Sequence, residues 1–276
     1  MTYVIVGLGL IGGSLAAAIS KRIPHAHVVG VSRDRGKINF AKKKKFIDEG
    51  SSDLKSAVSS ADFIFICTPV DTISEFVSKI DRYAKPGAIV TDVGSTKSVI
   101  VKSIERKKTK HIQFVGSHPL AGSHLTGVRY AKANLFDQAF VFVTPSKKTR
   151  ATAVRAISSF WRKLNMQVRV IAPETHDQIV SEISHLPHAV AALLMHTVSS
   201  KALPFAASGF LDTTRVAQGD PRIWTPIFVT NRINLLKSFN RLGETLTKLS
   251  CLIRQGNISS LERFLKMASL KRSKLA

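Results

Sequence analysis

Over the first 170 residues, short apolar runs alternate with stretches of helical spacing. Val4–Val6 leads into a cluster of glycines and then a helix through about Ser20. Further apolar runs lie at Val28–Val31, Phe63–Cys67, Ala88–Thr91, Phe114–Gly116 and Ala139–Val143. Thr68-Pro69 and Thr144-Pro145 stop two of them. Apolar runs without polar alternation mark strands covered on both faces, hence a parallel sheet with helices on either side. Strand–helix–strand repetition predicts an α/β fold.

The texture changes beyond Ala172. Pro173-Glu174 has the proline and first-turn acid that open a helix. Helices are predicted over His176–Ser200, Thr225–Cys251 and Ser259–Lys271, the last capped by Ser259 or Ser260. A loop with Gly209, Gly219 and Pro221 is expected between the first two. The predicted boundary near Val170–Pro173 gives an α/β domain over residues 1–172 and an all-helical domain over 173–276. About a hundred helical residues seldom bury enough apolar surface alone. The helical half is therefore expected to pack on the first domain and on a second subunit.

Gly7-Leu8-Gly9-Leu10-Ile11-Gly12 is a G-x-G-x-x-G that follows a strand and opens a helix. In that context the first glycine permits a tight turn and the second admits a pyrophosphate. The third lets helix and strand pack closely. The helix N-terminus adds free N–H groups and partial positive charge. The fold class predicted is thus an N-terminal Rossmann-type doubly wound sheet followed by a helical domain. Where the second strand ends, Ser32 stands at the position expected for a ribose-binding acid. Arg33 and Arg35 suit a 2′-phosphate, so NADP is the expected cofactor. Asp34 is the counter-signal: a register one residue different makes it the ribose acid and the cofactor NAD.

Charge changes the picture less than its size suggests. Of 276 residues, 41 are Lys or Arg and 18 Asp or Glu, a net +23. Residues 1–150 hold 24 basic and 11 acidic groups and residues 151–276 hold 17 and 7, so the excess is spread along the chain. The dense runs Lys42–Lys45 and Arg106–Lys110 lack interleaved aromatics. They are expected to be solvated faces that attract small anions, with no specific nucleic-acid site. Two cysteines, Cys67 and Cys251, exclude a disulfide scaffold. Thr2–Ser20 is uncharged but glycine-interrupted and lacks a basic leader, so neither a membrane span nor a signal peptide is expected. A cytoplasmic location is the expectation.

Taken together, several motifs resemble the prephenate/arogenate dehydrogenases of tyrosine biosynthesis over nearly the whole chain. They are the glycine motif with Gly13-Ser14, Cys67-Thr68-Pro69, Thr91-Asp92-Val93-Gly94-Ser95-Thr96-Lys97 and Ser117-His118-Pro119-Leu120-Ala121-Gly122. In the helical half they are His176-Asp177-Gln178, Ser184-His185-Leu186-Pro187-His188 and Ser208-Gly209-Phe210-Leu211-Asp212-Thr213-Thr214-Arg215. The resemblance implies NAD(P)-linked oxidative decarboxylation of a cyclohexadienol, giving 4-hydroxyphenylpyruvate from prephenate or tyrosine from arogenate. Hydride passes from the hydroxyl-bearing ring carbon to nicotinamide, carbon dioxide leaves, and the ring becomes aromatic.

The resemblance also implies roles. His118 matches the catalytic histidine, and an imidazole with an ordinary pKa near 6.5 suits a hydroxyl proton. Ser95 supports it, although a serine just past a strand is often only a helix cap. Arg215 matches the substrate-carboxylate arginine, with Asp212 orienting it or its loop. His188 reaches the substrate side chain, His185 supports it, and Trp224 shapes the pocket. Cys67, Thr68 and Pro69 join the cofactor site. His124 stands where some relatives carry a carboxylate, which favours the keto side chain of prephenate over the amino group of arogenate. His185 and His188 lie a turn apart, but with Pro187 between them and no completing ligand, no metal is expected. The active site is expected between the domains and the assembly is expected to be a homodimer. Two alternatives differ in class. A 3-hydroxy-acid dehydrogenase of the same architecture usually needs a helix lysine, which residues 174–200 lack. A nucleotide-sensing DNA-binding regulator would lose affinity steeply with salt.

Overall fold

The computed structural model describes residues 1–122 and 125–275. The chain divides into two compact units, Met1–Asn231 and Arg232–Ala276.

The first unit is built on an eight-stranded sheet. Its strands are β1 (Thr2–Val6), β2 (His27–Val31), β3 (Glu49–Ser51), β4 (Phe63–Ile66), β5 (Ile89–Asp92), β6 (Gln113–Pro119), β7 (Phe140–Thr144) and β8 (Gln167–Val170). The spatial order is β3-β2-β1-β4-β5-β6-β7-β8. Helices α1 (Leu10–Arg22), α2 (Arg35–Lys43), α3 (Leu54–Val58), α4 (Ile73–Tyr83), α5 (Ser98–Lys107) and α6 (Ala151–Lys163) connect the strands. Alternate residues feed opposite faces, as a pleated strand requires. Tyr3, Ile5 and Phe65 join Leu15, Phe160 and Trp161 on one side, while Val4, Val6, Ile64 and Ile66 join Val77 and Ile80 on the other. Each such side chain contributes about 1.5–3 kcal/mol by leaving water. The order reverses between β1 and β4, and the crevice at such a switch point is where ligands of these sheets bind.

Three features depart from the sequence expectation. The short edge strand β3 and the outer strand β8 are added; both are largely exposed, so neither shows an apolar run. Strand β6 extends to Pro119, because antiparallel pairing with β7 matches His118 with Phe142 and Pro119 with Val141. His118 is therefore a strand residue and not a loop residue beyond it, and one pair in the sheet is antiparallel.

The remainder of this unit is helical: α7 (Pro173–Val180), α8 (Leu186–Thr197), α9 (Ser208–Thr214) and α10 (Pro221–Thr230). The expected helix over 176–200 carries a π turn at Ser181–His185, just before Pro187. Proline has no N–H for the ordinary ladder, and the Leu186 N–H bonds the Ser181 carbonyl five residues back. The expected loop is mostly helical too: α9 is followed by a 3-10 turn at Arg215–Gln218, and Pro221 opens α10 under an Asp220 cap. The expected helix over 225–251 breaks at Asn231, whose backbone (φ −107°, ψ 20°) leaves the helical region.

The second unit comprises α11 (Arg232–Gln255) and α12 (Ile258–Ser273). Asn257, not Ser259 or Ser260, caps α12, accepting the Ser260 N–H at 3.0 Å. No described helix is long and apolar enough to cross a membrane.

Candidate active site

The glycine turn joins β1 to α1 beside β4. Gly7 has φ +101°, and a Cβ there would lie 2.7 Å from the Cys67 carbonyl oxygen. At Gly12 a Cβ would lie 2.0 Å from the Gly7 carbonyl oxygen. These two glycines are required by the protein's own packing. Gly9 is different: a Cβ there meets nothing within 4 Å. It is the N-cap of α1, which has neither a side-chain cap nor an acid in its first turn. Open backbone and unclaimed N–H groups at one helix end are what a pyrophosphate needs, so the residues present fit a dinucleotide. Leu8 is buried beneath the turn, and Leu10 and Ile11 begin α1. Cys67, Thr68 and Pro69 follow β4 alongside; burial pushes the Cys67 thiol far above its ordinary range, so it packs as an inert apolar group.

At the end of β2, the Asp34 carboxylate caps α2, accepting N–H groups of Gly36 at 2.8 Å and Lys37 at 3.3 Å. Ser32 Oγ accepts the Asp34 N–H at 3.1 Å. Arg33 and Arg35 are exposed.

His118 is 9% exposed. Its Nδ1 lies 2.9 Å from Nε2 of His176, whose Nδ1 lies 2.8 Å from Asp177 Oδ1. The Asp177 carboxylate also accepts the backbone N–H groups of Lys97 at 2.8 Å and Ser98 at 2.9 Å, and so caps α5 from a distant helix. Ser95, half-buried, is not that cap. Burial works against the Asp177 charge, but the bonds from His176, Ser98 and Lys97 outweigh it and hold the carboxyl below its ordinary value. Burial lowers His176 despite Asp177, and lowers His118 further, helped by His176 and Lys97.

Protons along this line are fixed by elimination. Ionised Asp177 only accepts, so His176 carries its proton on Nδ1. Neutral His176 then accepts at Nε2, so His118 donates from Nδ1. The lone pair of His118 is left on Nε2, as a general base requires.

Beneath this line lies a buried ion pair. Lys97 Nζ donates to the Asp92 carboxylate and, at 2.9 Å, to the Ser117 carbonyl. Asp92 in turn accepts the N–H groups of Ser117 at 3.2 Å and Gly94 at 2.9 Å. Lys97 and Asp92 are fully buried, so they tie the segment carrying Ser95 to the strand carrying His118.

The helical residues form a second cluster. His188 stacks on Trp224 with centroids 3.6 Å apart at 11°, and His185 meets the same ring edge-on at 6.2 Å. Gly219 makes room, since a Cβ there would lie 2.4 Å from Trp224 Nε1. Burial lowers His185 to about 4 and also lowers His188. Asn231 Nδ2 donates to the Asp177 carbonyl at 2.8 Å and contacts His185 Nδ1 at 3.1 Å. Arg215 and Asp212 are both exposed, and among the described residues no ion pair joins them. His124 lies outside the described residues. Among the described residues no group of three His, Cys, Asp or Glu is placed to hold a metal.

The structure thus joins His118 and His185–His188–Trp224 through residues that the sequence reading left without a role: His176, Asp177, Asn231, Asp92 and Lys97. The adjacent His176-Asp177 pair was the available signal, because neighbouring titratable groups on a helix need partners when buried. Asn231 gave none.

Two family models match the chain. "Prephenate dehydrogenase, nucleotide-binding domain" covers residues 15–170 and "Prephenate dehydrogenase, dimerization domain" covers residues 172–267. Prephenate dehydrogenase of Bacillus subtilis (strain 168) is 36% identical over 277 residues, 97% of this chain and 74% of that protein. The crystal structure of prephenate dehydrogenase from A. aeolicus in complex with hydroxyphenyl propionate and NAD+ has a TM-score of 0.93 at 32% identity, covering 100% of this chain and 98% of that one. That of Synechocystis arogenate dehydrogenase has a TM-score of 0.85 at 33% identity, covering 100% of both chains. With both halves matched by family models and identity above 30% along nearly its whole length, the chain belongs to the prephenate dehydrogenase family.

Proposed function

We propose that the protein catalyses NAD(P)-dependent oxidative decarboxylation of prephenate or arogenate, the tyrosine-forming branch chemistry of its family. The observation that carries this reading is the His118–His176–Asp177 line. It leaves a neutral, desolvated imidazole with a lone pair on Nε2 near the end of β6, on the same carboxyl-end edge of the sheet as the glycine turn that follows β1. The dinucleotide, when bound, supplies the hydride acceptor. His118 Nε2 takes the proton of the ring hydroxyl as the carbonyl forms, and Ser95 holds that oxygen. Arg215 pairs with a substrate carboxylate, and its exposure suits a residue that meets an incoming anion. His188, His185 and Trp224 bound the side-chain end of the ring. Aromatisation with loss of carbon dioxide makes the step irreversible.

NADP is the preferred cofactor in this reading. Asp34 spends both hydrogen bonds of its Oδ1 on α2, which leaves Ser32, Arg33 and Arg35 to meet the 2′ position. The His124 position favours prephenate. The functional boundary falls at Ala172–Pro173, where β8 has ended and α7 begins. The protein is a cytoplasmic homodimer in this reading, paired through the helical half. Ile233, Leu236, Leu246 and Ile253 on α11 and Leu265 and Leu270 on α12 are exposed, a supply of apolar surface that a partner would cover. The surplus positive charge draws the dianionic substrate and the dinucleotide inward.

The test is direct. Purified protein is mixed with prephenate or arogenate under NAD or NADP, and reduced nicotinamide is followed by absorbance. Turnover with at least one pair supports the reading, fastest with prephenate and NADP. Silence in all four mixtures contradicts it.

A further inference from the structure

We infer that Asn231 is a positioning residue that sets the tautomer of His185, so that His185 presents an Nε2–H donor to an oxygen of the bound cyclohexadienol. The inference rests on the proposed function and adds a specificity contact to the same site.

A single amide sets the tautomer. Asn231 Nδ2 lies 2.8 Å from the Asp177 carbonyl oxygen, which can only accept. That contact fixes which end of the amide is nitrogen. The second proton of the same nitrogen points to His185 Nδ1, 3.1 Å away. A primary amide nitrogen donates and does not accept, so His185 Nδ1 must hold a lone pair. Burial keeps the imidazole neutral at physiological pH. A neutral ring with a lone pair on Nδ1 carries its proton on Nε2.

That Nε2 is closed from solvent and has no hydrogen-bond partner among the described residues. Buried donors are nearly always satisfied in native interiors, and an exception calls for a reason. The surroundings supply one. His185 stands edge-on to Trp224, which stacks on His188, and it is close enough to His118, His176 and His188 to feel their charge. The unspent donor therefore belongs to the wall between the proposed base and the proposed side-chain pocket. An oxygen of a ring held between His118 and His188 would satisfy it, whereas an apolar group there would leave it unpaired. Asn231 reaches both partners because the chain breaks between α10 and α11 at this residue. The same amide thus ties the backbone of Asp177, which orients the base, to His185.

The experiment is a long-range 1H–15N spectrum of the imidazole rings in the full-length wild-type protein, with His185 assigned by loss of its signals in His185→Gln. The expected pattern is a protonated Nε2 and a bare Nδ1, and prephenate added without dinucleotide should shift the Nε2–H resonance. Asn231→Asp, whose carboxylate accepts from Nδ1–H, should reverse the pattern. It should raise KM for the cyclohexadienol about tenfold, the worth of one hydrogen bond, with kcat changed far less. A wild-type Nδ1–H pattern overturns the inference, and so does a reversed tautomer with unchanged KM. The wild-type spectrum decides the tautomer even if the variant does not fold. It is also independent of turnover, so an Nε2–H pattern in a protein silent towards both substrates would refute the proposed function and leave the tautomer assignment standing.

Discussion

Nδ1 of His118 and Nε2 of His176 stand 2.9 Å apart, and only one of them can carry the proton between them. Asp177, bonded to the far side of His176, decides which. The base strength of residue 118 is thereby tied to a carboxylate two side chains away. Asp177→Asn removes the obligatory acceptor and frees the tautomer of His176. The expected loss in kcat is about 10²–10⁴-fold, the range for a misplaced general base, with cofactor affinity retained. Steady-state kinetics beside a dinucleotide titration check it; unchanged kcat would remove Asp177 from the line.

The glycine turn separates packing from ligand approach. Gly12→Ala places a Cβ 2.0 Å from the Gly7 carbonyl oxygen, so the turn must open and stability must fall. Gly9→Ala meets nothing within 4 Å, so thermal stability should stay within about 0.5 kcal/mol. Its new methyl should cut dinucleotide affinity about tenfold or more by holding the pyrophosphate off the backbone. Melting curves and a binding titration on both variants distinguish the two roles; equal stability loss in both would contradict the division.

Much of this fold is legible in the sequence because burial on two faces leaves uninterrupted apolar runs, as at Phe63–Ile66. Strands β3 and β8 were not legible because their residues face solvent. The end of β6 was not legible because antiparallel pairing with β7, a long-range event, carries the strand through His118 to Pro119. In the site, Gly7–Gly12 announces itself by local pattern, whereas His118 is picked out by the resemblance that its Ser117–Gly122 motif carries. His176 and Asp177 do not announce their roles, because these arise only when α7 packs across the N-terminus of α5 and Asp177 reaches the N–H groups of Lys97 and Ser98. Asn231 is less visible still, since nothing local separates it from a surface asparagine.

Acid should loosen the fold early. Burial holds His118, His176 and His185 below the ordinary imidazole value of 6.5, His185 at about 4. Below that value the unfolded chain binds protons that the folded chain refuses. The stabilisation is therefore complete above pH 6.5 and is lost as pH falls towards 4. Urea midpoints measured from pH 7.5 downward should decline before the carboxylates titrate; a flat profile between pH 7.5 and 5 would contradict neutral burial of the three rings.

Cofactor choice gives a separable outcome. Arg33→Ala with Arg35→Ala should weaken NADP about tenfold or more and leave NAD nearly unchanged, since each arginine offers a paired contact to a 2′-phosphate alone. Asp34→Ala should cost about 1 kcal/mol of stability through the lost helix cap, with no gain in NADP affinity. Equal loss of both cofactors in the double variant would refute the 2′-phosphate role.

The central claim is that His118 Nε2 accepts the hydroxyl proton. It is tested most directly by comparing His118→Asn with the wild type, following reduced nicotinamide under saturating prephenate and NADP while dinucleotide binding is measured on the same samples. The account predicts unchanged binding and turnover lowered by about 10²-fold or more. Turnover close to wild type with intact binding would contradict it.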